Sequence, residues 1–215
     1  MTLNWFIPAP PDPLSVGFPS GELLTALAKK LDITVWIDQS SWSSDLDKEA
    51  VRVRSYDPDN MPWAEINGAD ATIYHFAKET NENSPVWRIS CCHPGVVMLH
   101  DVRPETWPLL LTALENATGV AVESADALPM IKSATDLPVV CLPSFTAIRG
   151  DSALVEAYLN GLVWLVNASL QQQPARAVAW ISRRAGHTIS PWFLESAAAI
   201  VLPSLAKTIS RVFDE

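Results

Sequence analysis

The chain has 215 residues, of which 48% are hydrophobic, and 15 Lys and Arg stand against 24 Asp and Glu, a formal charge of −9. Such length and apolarity argue against disorder and allow one sizeable core. The acidic balance, without a block of basic residues, argues against a nucleic-acid surface, because phosphate binding needs clustered Lys and Arg.

The first apolar run, "NWFIPA" from Asn4, reads as a strand, and a Pro-rich loop, "IPAPPDPLSVGFPSG", follows it. Gly17 and Gly21 in that loop mark places where backbone could approach a ligand closely. "SGELLTALAKKL" then offers Ser20 as N-cap and places Leu23, Leu24, Leu27 and Leu31 on one helical face. Further short runs rich in β-branched residues predict strands in "DITVWI", "AVRVRS", "ADATIYHF", "GVVMLH", "GVAVES" and "LPVVCLP". "ETWPLLLTALENA" and "ADALPMIKSA" predict helices between the later ones.

This alternation predicts an α/β fold, a Rossmann-like and mostly parallel sheet flanked by helices, over residues 1–150. From Asp151 the character changes. "DSALVEAYLNGLVWLVNASLQQQ" reads as a helix turning Tyr158, Leu162, Leu165 and Val166 to the core, and "ARAVAWISRRAG" and "PWFLESAAAIVLPSLAKTISRVF" read as further helices. Residues 151–215 are therefore expected to form a helical extension packed on the sheet. Its apolar stretches look too short or too interrupted for a bilayer span of about 20 apolar residues, and an exposed apolar patch there would make the chain a homo-oligomer.

In open α/β sheets ligands bind beyond the carboxyl ends of the strands. Three polar clusters fall there: the loop with Gly17 and Gly21, then Tyr74 and His75 after "ATI", then His100 and Asp101 after "VVML". Two histidines at strand ends of one sheet point to a site. No cofactor is expected, since neither a dinucleotide fingerprint nor a Walker loop occurs. No metal is expected either, because Cys91, Cys92 and His93 are contiguous and a second cluster with zinc spacing is missing. The three cysteines, Cys91, Cys92 and Cys141, have no framework spacing, and no secretory n-region precedes "MTLNWFIPAP", which together suggest a reduced, cytoplasmic protein.

Over roughly residues 4 to 146 this pattern resembles the N-terminal domain of GT-B glycosyltransferases of bacterial polysaccharide pathways. The resemblance lies in the loop after the first strand, in "IYHFAKE", in "AVES" and "PVVCLPS", and most specifically in "PGVVMLHD" from Pro94 to Asp101. It implies sugar transfer from a nucleotide-sugar donor to a sugar or lipid-linked acceptor, with His100 near the reacting sugar and Asp101 orienting it. It further implies that Gly17 and Gly21 lie near donor phosphate or acceptor, with Tyr74 and His75 at a substrate contact. Two departures stand out. Ala77, Lys78 and Glu79 replace the family's Gly-Asn-Asn, and the chain is too short for the second, nucleotide-binding domain of that family. Glu115 and Glu123 have the spacing of that domain's glutamate pair but sit in the first domain, so they are not assigned to it. Two readings stay open: the acceptor-side half of a transfer enzyme, as a fragment or with a separate nucleotide-binding subunit, or a non-catalytic binding protein that retains the fold.

Overall fold

The computed structural model describes residues 1–7, 21–38, 51–76 and 80–185. Each of the seven apolar runs forms a strand: β1 (Thr2–Ile7), β2 (Asp32–Ile37), β3 (Arg52–Ser55), β4 (Ala71–Phe76), β5 (Gly95–Leu99), β6 (Ala117–Val122) and β7 (Val139–Cys141). All pair in parallel, in the order β3-β2-β1-β4-β5-β6-β7. Every residue of β4, β5 and β6 is buried, as a parallel sheet covered on both faces requires. Winding runs outward from β1 through β2 to β3, then restarts at β4 on the other side of β1. The topological switch point, where ligand crevices form in such sheets, therefore lies between β1 and β4.

Side chains alternate between the faces and divide the interior into two cores. One face presents Trp5, Ile73, Val96 and Met98 to α1 (Gly21–Ala28) and α7 (Ser152–Ala185), which contribute Leu23, Leu24, Leu27, Tyr158, Leu162, Leu165 and Val166. The expected core face of the long helix is thus the observed one, and burying each such side chain contributes roughly 1.5–3 kcal/mol. The other face sets Phe6, Trp36, Tyr74 and Val97 against α3 (Pro85–Ser90), α4 (Trp107–Leu114) and α5 (Leu128–Ala134). Two single-turn helices, α2 (Trp63–Ile66) and α6 (Phe145–Ile148), complete the set.

Two details show how local sequence suits this packing. Asn4, a polar residue inside β1, is buried but satisfied: its amide donates to the Ile66 carbonyl at 2.7 Å, and its Oδ1 accepts from the Trp36 indole at 2.8 Å. Gly95 opens β5 where any Cβ would stand 2.6 Å from the Thr72 carbonyl and 2.7 Å from the Tyr74 ring. The glycine is there for close approach of β4.

Residues after Gln173 do not start a new helix, contrary to the expectation. α7 continues through Pro174 to Ala185, because a proline deletes one N–H bond and crowds one carbonyl, which a helix anchored along its first five turns can survive. Ser152–Gln171 also differs from expectation in being long and apolar enough for a bilayer span, with hydropathy 1.3. Part of that apolarity is turned inward, where Tyr158, Leu162, Leu165 and Val166 are buried, while Glu156, Asn160, Asn167, Gln171 and the half-exposed Trp164 line its outer side. The expected helix from Pro191 lies outside the described residues.

Candidate functional site

His75, His100 and Glu123 come from three consecutive strands and meet at the carboxyl edge of the sheet. His75 is the fifth residue of β4, while His100 and Glu123 are the first residues after β5 and β6. By the two-residue alternation each lies on the face covered by α1 and α7, in line with Ile73, Met98 and Ala121. The His100 amide donates to the Phe76 carbonyl at 3.1 Å, which extends the β4–β5 ladder by one residue and fixes where the imidazole starts.

The side chains form a chain of contacts. Nδ1 of His75 is 2.8 Å from Nε2 of His100, and Nδ1 of His100 is 2.8 Å from Oε1 of Glu123. The second contact lacks hydrogen-bond geometry and is an ion pair only when the imidazole is protonated. Oε1 of Glu123 also accepts the Phe145 amide at 3.3 Å. Aromatic rings enclose the group: Trp5 stacks on His75 at 5.0 Å, and Phe145 lies 5.6 Å from His75 and 5.0 Å from His100. Tyr158 packs on Phe145 and donates its hydroxyl to the Met98 sulfur at 3.2 Å.

Burial sets the electrostatics. His75 is wholly buried, and desolvation, reinforced by the neighbouring His100, holds its pKa well below the ordinary histidine range. Burial, then the Glu123 carboxylate, raises the pKa of Tyr158 and Cys141. Both therefore remain protonated and neutral at pH 7. Side chains of His100 and Glu123 are 3% and 9% exposed. Such an arrangement can hold one proton between two imidazoles and balance it with one carboxylate.

The expected site residues separate. His75 and His100 come together. Asp101, adjacent in sequence, points away and pairs with Arg103 at 2.7 Å, because successive residues leaving a strand face opposite ways. The carboxylate that contacts His100 is Glu123. Tyr74 lies on the other sheet face, wholly buried, with its hydroxyl 2.9 Å from Nδ1 of His93 and 3.0 Å from the His93 carbonyl. Its polar end is thus engaged in packing away from the His75 side. Gly21 is the first residue of α1. Gly17 lies outside the described residues, as do Ala77, Lys78 and Glu79 after β4.

Glu123 was detectable by one signal: it follows "GVAV" as His100 follows "VVML", the first polar residue after a buried run. Among the described residues no cluster of three His, Cys, Asp or Glu is arranged to hold a metal ion. The 2.8 Å spacing of the two imidazole nitrogens leaves no room for an ion between them. Compared with protein-family models and with curated proteins, the chain matches none.

Proposed function

We propose that this chain is the acceptor-side half of a nucleotide-sugar-dependent glycosyl transfer enzyme, working with a separate nucleotide-binding polypeptide that supplies the donor. One observation carries the reading. His100, which closes the "PGVVMLHD" stretch, is held at the carboxyl edge by 2.8 Å contacts to both His75 and Glu123. Transfer to an acceptor requires a base for its hydroxyl and a place for the resulting positive charge. An imidazole pair backed by a carboxylate offers both. The role that the resemblance gave to Asp101 passes in this proposal to Glu123.

The alternative, a binding protein that retains the fold without the chemistry, is favoured by the burial of His75 at 0% and of the His100 side chain at 3%. Calorimetric titration of the purified chain with a panel of nucleoside diphosphates and their sugars, alone and with any copurifying polypeptide, separates the two. The expected result is binding that is weak alone, strengthened by the partner and accompanied by sugar transfer that His100→Ala abolishes. Transfer undiminished in His100→Ala, or no binding of any donor with or without a partner, would overturn the enzyme reading.

A further inference from the structure

The long helix α7 reverses its polarity along its length. At 3.6 residues per turn an α-helix returns to the same angle after about 18 residues, so positions that far apart lie on one line of its surface. Tyr158, Leu162, Leu165 and Val166 form the buried line against the sheet. One repeat further on, the same line holds Arg176, Trp180, Arg183 and Arg184. On the opposite line the change is the reverse: the exposed Glu156, Asn160 and Asn167 give way to Pro174, Val178 and Ala185, and the partly buried Val163 to Ile181. The far end of the helix thus carries an apolar line where the near end carries a polar one.

Charge is segregated in the same way. Of the 24 acidic residues 21 precede Ala157, and none stands between Glu156 and Glu195, whereas Arg176, Arg183 and Arg184 fall in that gap. In a chain of net charge −9 such a stretch is where an anionic surface can approach without repulsion. By helical angle the arginines border the apolar arc on both sides, Arg184 next to Ile181 and Arg183 next to Ala179.

We propose that the far part of α7, from Pro174 to Ala185, docks on an anionic lipid surface, its apolar line at the acyl boundary and its arginines at the headgroups. An apolar arc bordered by arginines is the pattern of a helix that lies in the interface plane. It lies on the bilayer and does not cross it: Ser152–Gln171 is long and apolar enough to span, but crossing would strip Tyr158, Leu162, Leu165 and Val166 from the core they fill. Nucleic acid would use the arginines and leave the apolar line uncovered, and the acidic residues that precede them would repel a duplex. The inference is independent of the glycosyl-transfer reading.

The test is flotation of the full chain with vesicles of equal parts phosphatidylglycerol and phosphatidylcholine, and with vesicles of phosphatidylcholine alone. The chain is expected to float with the mixed vesicles only. Raising the salt from about 0.1 M to about 1 M shortens the screening length from about 10 Å to about 3 Å and should release it. An arginine near an anionic surface strengthens binding about fivefold, so the triple variant Arg176→Gln, Arg183→Gln, Arg184→Gln should bind on the order of a hundredfold more weakly. No flotation with the mixed vesicles, equal flotation with both kinds, indifference to salt, or unchanged binding by the triple variant would each overturn the proposal. Capture of the chain by transfer RNA but not by vesicles would overturn it in favour of a nucleic-acid contact. If the triple variant does not fold, the lipid and salt dependence of the wild-type chain decides.

Discussion

His93 shows how a buried histidine can be purely structural. Its Nε2 lies 3.1 Å from Oδ1 of Asn67 and its Nδ1 2.9 Å from the Tyr74 hydroxyl, which donates to the His93 carbonyl at 3.0 Å, so both ring nitrogens have partners. Burial lowers its pKa to about 4, with only a small opposing contribution from the Pro94 backbone. His75 differs in one respect: among the described residues its Nε2 has no hydrogen-bond partner. Asn4 belongs with His93: Asn4→Ala would strand the Trp36 indole N–H in the core and should cost roughly 1–3 kcal/mol. Urea unfolding measures that loss, and a midpoint unchanged from wild type would contradict the assigned network.

Among the elements, β5 is the most constrained. Its neighbours β4 and β6 pair on both sides, all five residues are buried, and Gly95 faces the Thr72 carbonyl at a distance no side chain tolerates. Gly95→Ala must therefore spread β4 from β5 and should destabilise by roughly 1–3 kcal/mol or more. Thermal unfolding checks it, and an unchanged melting temperature would mean that the contact is not kept in solution. The strands themselves were legible in the sequence, because doubly buried strands need uninterrupted runs of apolar residues. The short helices α2, α3 and α6 were not, since too few residues exist in each for a period of 3.6 to register.

At the scale of the whole molecule the buried neutral histidines make stability depend on acid. Free histidine binds a proton near 6.5, whereas His93 in the fold does so near 4 and His75 lower than usual. Between those values the unfolded chain takes up protons that the native chain refuses, so the stability from these residues is complete above pH 6.5 and lost as pH falls. For His93 the loss amounts to roughly 3 kcal/mol by pH 4 and then levels off. Denaturant midpoints from pH 8 to pH 4 should fall accordingly, with a shallower fall in His93→Gln. A flat profile in the wild-type chain would show that these rings are protonated or exposed in solution.

Composition, hydrophobic runs and their alternation with helical segments determined the fold class of this protein, the seven strands and the inward face of its long helix. Those features follow from local periodicity and from the need of a parallel sheet to be apolar on both sides. Only the tertiary structure decided the partner of His100. Neighbours in sequence at a strand end diverge, which sends Asp101 to Arg103, while strands packed about 4.8 Å apart bring the ends of distant segments together. His75 and Glu123 thus reach His100 across the sheet. Continuation of α7 past Pro174 was likewise decided in the folded chain, where anchoring along the preceding turns outweighs one lost hydrogen bond.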